Sequence, residues 1–149
     1  MHELIYTVIM NLMNIKDYTD DDTNDFKLYI YELITFSGVQ HEVIIIALKY
    51  IERLSKNKSL KFFSEYSLFL ICLIMADIYI NDKSWSLKAW SHHSGIPLKY
   101  CLKIKLDFLN MICYDLIVSN EEYEKFLLVV SMIKPETNYL FTEFNTCMV

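Results

Sequence analysis

Three groups of side chains in this chain are of types that could do chemistry, and in each case spacing decides whether they do. His92 and His93 are adjacent. Neighbours on a helix point about 100° apart, so the two imidazoles do not converge on one metal ion as an i, i+4 pair would, and a solvated pair is expected. Asp20, Asp21, Asp22 and Asp25 crowd one short stretch. They lack the glycine and the spacing of a calcium loop, which leaves an acidic linker. The four cysteines, Cys72, Cys101, Cys113 and Cys147, show no C-x-x-C spacing. They read as reduced thiols of an intracellular protein, with Cys147 one place short of a prenylation box.

Catalytic signatures are missing. The sequence holds no G-x-x-x-x-G-K, G-x-G-x-x-G, H-E-x-x-H or G-x-S-x-G, and its two glycines cannot build a phosphate cradle. A small helical enzyme would need a convergent polar cluster, and none is evident, so neither catalysis nor a cofactor or metal is expected. Between 49 and 61, five cations (Lys49, Arg53, Lys56, Lys58 and Lys61) face one acid, Glu52. A solvated helix end whose charges complement the helix dipole is the expectation; a docking patch for an anionic partner is the alternative.

The elements that must position these groups are helices. Of 149 residues 54% are hydrophobic and 15% aromatic, with two Gly and two Pro, too little turn chemistry for an all-β protein, so an all-α single domain is expected. A net charge of -5 argues against nucleic-acid binding through bulk electrostatics. The apolar excess is more than a monomer of this size needs and predicts a covered partner surface. The organising stretch is 64 to 85, whose centre, Leu68 to Ala76, is apolar without interruption. A membrane span needs about 20 such residues, so this run is a buried hub helix and no membrane is expected as partner. The first thirteen residues carry Glu3 and no basic leader, so no secretory signal is read there and the expected compartment is cytoplasm or nucleus.

Periodicity places further helices at 2–15, 25–36, 39–55, 64–80, 87–93, 97–112 and 119–133. Thr23 or Asn24 is the expected cap of the second, Ser37 with Gln40 a capping box for the third, Ser86 the cap of the fifth, and Ser119 with Glu122 a capping box for the last.

Four runs in this order resemble a known family: ALKYIERL (47–54), MADIYIND (75–82), KAWSHHSGIPLK (88–99) and FLNMICYDLIVSNEEYEKFL (108–127). They are similar to the cyclin box, and in particular to the single-box PCL-type and phosphate-pathway cyclins of fungi. Those show AL-x-Y-I-x-R-L, A-x-K-[FY], AWS-x-x-SG and FL-x-x-x-x-YDL-x-VS-x-EEY. The resemblance implies a five-helix cyclin box at 25–118, an N-terminal flanking helix and acidic loop at 1–24, and a C-terminal flanking helix and tail at 119–149. It further implies a non-catalytic regulatory subunit that binds and activates a cyclin-dependent protein kinase. The alternative is a cyclin-fold module for a non-kinase transcription or scaffold partner.

By the same resemblance the kinase interface would comprise Asp77, Ile78, Tyr79, Lys105, Cys113, Tyr114 and Leu116. The family usually has Lys after the Ala of A-x-K-[FY] and Glu in the fifth box helix. Asp77 and Lys105 are expected at those places with the charges exchanged, as a pair bridging the third and fifth box helices, with Asp77 to Asp82 exposed and one extra residue between those two. An opposite-sign pair preserves what desolvated charges need.

Overall fold

The computed structural model describes residues 1–133, and these form seven α-helices and one 3₁₀ turn. In chain order the helices are α1 (His2–Leu12), α2 (Asp20–Ser37), α3 (His41–Lys56), α4 (Glu65–Ile80), α5 (Leu87–Ser94), α6 (Leu98–Met111) and α7 (Asn120–Ser131). The all-α architecture is the one expected: α2 to α6 form the five-helix unit, with α1 and α7 flanking it. Cys147 and Pro135 lie outside the described residues.

The hub is α4, buried without interruption from Ser67 to Asp77. It touches α1, α2, α3, α5 and α6, so no side of it can be polar without a partner. Ser64 starts it by accepting the Ser67 N–H at 3.1 Å. Around it, α3 contributes Val43 through Leu48, Tyr50, Ile51 and Leu54, and α6 contributes Cys101, Ile104 and Phe108. At one end an aromatic cluster locks α2 to α4, with Tyr66 lying 4.9 Å from Phe26 and 4.7 Å from Tyr29. The last helix, α7, packs on α3 through a face that includes Phe126 and Val130.

Three local expectations are corrected. The acidic stretch is helix, because α2 starts at Asp20 rather than near 25. Thr19 and Asp22 form a capping box, and Asp20, Asp21 and Asp22 occupy the first turn, where negative charge complements the exposed N–H groups. The second correction is that no capping box forms from Ser37 and Gln40. Gly38, at φ +60°, closes α2 in the left-handed conformation with Ser37 still inside that helix, and α3 opens at Gln40 without a side-chain cap. The third is that most of the basic run is engaged rather than solvated. Glu52 is buried and holds Lys49 at 3.0 Å and Lys56 at 2.9 Å, while Arg53 reaches the loop after α6. Ser86 caps α5 as expected, and Ser119 caps α7 through its hydroxyl, the serine half of the expected box.

Candidate functional site

The residues singled out from the sequence fall at two places that adjoin: the C-terminal end of α4 and the loop 112–118 that follows α6. Tyr79 joins them, since its hydroxyl accepts the Val118 N–H at 3.2 Å.

That loop is held open in a defined shape. At the end of α6 the Tyr114 N–H returns to the Leu109 carbonyl at 2.8 Å, and Cys113 and Tyr114 both adopt left-handed φ, +55° and +57°. Neither is glycine, so the conformation costs about 1–2 kcal/mol per residue. The compensating contacts come from α3. Tyr50 donates to the Leu116 carbonyl at 2.8 Å and Asn57 to the Met111 carbonyl at 2.8 Å. Arg53 donates to the carbonyls of Asp115 at 3.2 Å and Ile117 at 2.6 Å, and its guanidinium also holds the Glu122 carboxylate at 2.8 Å. The Ser119 hydroxyl caps α7 from the Glu122 N–H, while the Glu122 carboxylate is turned to Arg53. Partial burial pushes the Glu122 carboxyl up, but the hydrogen bond and charge of Arg53 outweigh it and its pKa is lowered.

The outcome of this scaffolding is a set of apolar side chains presented to solvent by fixed backbone. Tyr114 is 64% exposed and Ile117 68%, although both sit beside a buried core. At the end of α4, Ile78 is 42% exposed and Tyr79 is likewise exposed. Cys113 is exposed, while Leu116 and Lys105 are half-buried. Leu116 packs on the core.

Asp77 departs from expectation. It is 3% exposed, its Oδ1 accepts from the Asn81 side chain at 2.7 Å, and it makes no ion pair with Lys105. The expected bridge between the two helices is therefore absent. With Ala76 and Tyr79 as anchors, the Lys of A-x-K-[FY] falls on Ile78, the first exposed residue after the buried run, and no extra residue is needed.

Sequence reasoning missed the clamp made by Tyr50, Arg53 and Asn57. Two of these, Tyr50 and Arg53, are the polar positions of AL-x-Y-I-x-R-L, three residues apart on one face of α3, and Asn57 is the residue that ends the helix. Ile117 was also missed. The histidine pair is not simply solvated, since His93 stacks on Phe36 at 3.6 Å. Among the described residues no group of three or more His, Cys, Asp or Glu could hold a metal ion, and no helix is long and apolar enough to cross a membrane.

Comparison with known proteins gives a consistent answer. The family model of the cyclins matches residues 12–116. The G1/S-specific cyclin pas1 of Schizosaccharomyces pombe is 29% identical over 138 residues, which is 86% of this chain and 34% of that protein. PHO85 cyclin-5 of Saccharomyces cerevisiae is 26% identical over 117 residues, 73% of this chain and 50% of that protein. The chain thus spans half or less of the length of these curated relatives. No solved structure matches it. The helices that α4 gathers, the clamped loop after α6 and the extent of the family match together place this chain in the cyclin family.

Proposed function

We propose that this chain is a non-catalytic regulatory subunit that binds a cyclin-dependent protein kinase and activates it in trans. The docking face is the end of α4 together with the loop after α6, with Ile78, Tyr79, Cys113, Tyr114 and Leu116 at its centre and Lys105 at its edge. The observation that carries this reading is Tyr114. A large aromatic side chain, 64% exposed, stands on two consecutive left-handed residues in a loop that hydrogen bonds from α3 hold in place at a backbone cost. Aromatics with a polar tip suit interfaces, and a rigid presentation lowers the entropy lost on docking.

In this mechanism the face receives the kinase's regulatory helix and holds its Glu against the ATP-binding Lys. It also helps order the activation segment. Activation requires only that the face bind the active conformation better than the inactive one. The chain itself transfers no group.

The test is co-purification from the native cell followed by a kinase assay with and without this chain, starting with PHO85, the partner that one relative's name carries. A stable complex with raised kinase activity is the expected result. A stable complex with no gain would sink the activation step and leave a binding module.

A further inference from the structure

At the end of α4 the buried Asp77 opens a question that the docking face does not answer. Its Oδ1 is bound by Asn81, but its Oδ2 has no hydrogen-bond partner and is shielded from solvent. A carboxylate oxygen left in that state is costly unless a donor reaches it. Asp77 lines a recess of about 300 Å³ whose walls include Gly38, Gln40, Asn81, Lys83 and Trp85.

The walls are rich in acceptors and carry one aromatic face. Gln40 and Asn81 bond reciprocally through their amides at 3.1 Å in each direction, and the Asn81 amide also donates to Asp77 Oδ1, so a group entering the recess reaches the carboxylate by displacing this pair. Trp85 is fixed from below, donating its indole N–H to the Ser37 carbonyl at 3.1 Å and packing on Phe36 at 4.9 Å, yet it is half exposed. Lys83 stands on the rim and does not reach Oδ2.

We infer that this recess takes the guanidinium of an arginine side chain from the bound protein partner. A planar guanidinium stacks on an indole face while its fork of N–H groups meets a carboxylate oxygen and neighbouring amide oxygens together. An ammonium is a point charge and meets fewer of these at once. A metal ion is a poor fit, because Asp77 belongs to no group of three or more His, Cys, Asp or Glu side chains that could hold one among the described residues. The inference rests on the docking reading only for the origin of the arginine, and the recess is testable without any kinase.

The probe is Nα-acetyl-arginine amide, titrated into isotope-labelled protein with the Trp85 indole and the Gln40 and Asn81 side-chain amides followed by NMR. Saturable shifts at these groups are expected, with a Kd on the order of millimolar, as suits a single side chain. The citrulline and lysine analogues are expected to bind at least about five-fold more weakly, since each loses charge or fork geometry. Asp77→Asn is expected to abolish the shifts, and Lys83→Ala to tighten binding about two-fold by removing a like charge. If Asp77→Asn does not fold, Trp85→Ala, a change at a half-exposed position, is expected to weaken the probe by about five-fold or more. Equal binding of the citrulline or lysine analogue, or shifts that survive both Asp77→Asn and Trp85→Ala, would overturn the assignment. Absence of saturable shifts in the unaltered protein would overturn it as well, whatever the kinase assay gives.

Discussion

At the residue scale Arg53 spans two backbone carbonyls and a carboxylate from one helix position. Charge-assisted hydrogen bonds of this kind are worth about 1.5–3 kcal/mol, so Arg53→Ala should lower unfolding stability by about 2 kcal/mol in urea titration. Arg53→Lys should recover less than half of that, because one ammonium cannot replace the fork. The effect carries a pH signature. The Glu122 carboxyl is lowered from its ordinary 4.5 in the folded chain, so its contribution is fully present above that value and lost as pH falls through the lowered native value. The stability gap between the unaltered protein and Arg53→Ala should therefore narrow below about pH 4.5, and a gap that stays constant into acid would remove the coupling. Asp77 and Lys105 make the opposite case. They form no ion pair, so a double-mutant cycle of Asp77→Asn with Lys105→Glu should be additive in stability within about 0.5 kcal/mol, and a larger coupling energy would restore the bridge that the structure lacks.

The elements show which parts of the fold can be read from a sequence and which cannot. The apolar run of α4, the inward face of α6 at Cys101, Ile104 and Phe108, and the serine caps of α5 and α7 are all legible, because each depends on residues within one helix. The start of α2 is not, since DYTDDDTND has the composition of a loop. Its helical beginning depends on a cap reaching back to Thr19. Thr19→Ala should accordingly cost about 1 kcal/mol, read as a lower thermal midpoint, and a neutral result would mean that the acidic turn is held by the dipole alone. The orientation of Asp77 was hidden for a different reason. A helix apolar on every side has no phase in its pattern, so the sequence could not say that Asp77 turns inward and Ile78 outward. The clamp on loop 112–118 was hidden because its acceptors are backbone carbonyls some sixty residues away from their donors, which leave no mark on side-chain pattern.

On the scale of the whole molecule, four polar side chains from two helices and a helix end converge on one loop. Tyr50, Arg53, Asn57 and Tyr79 all secure the loop after α6 against α3 and α4, and the loop in turn presents Tyr114 and Ile117 beside Ile78. A core held this way resists distortion when a partner presses on it, which suits the proposed role of a subunit that reshapes another protein without changing itself. The most direct test of that account is the concentration of this chain that half-activates the kinase proposed as its partner, measured for the unaltered protein and for Ile78→Glu with Tyr114→Ala. Both positions are solvent-exposed, so the thermal midpoint should hold while the half-activating concentration rises at least about ten-fold. An unchanged half-activating concentration would contradict the account.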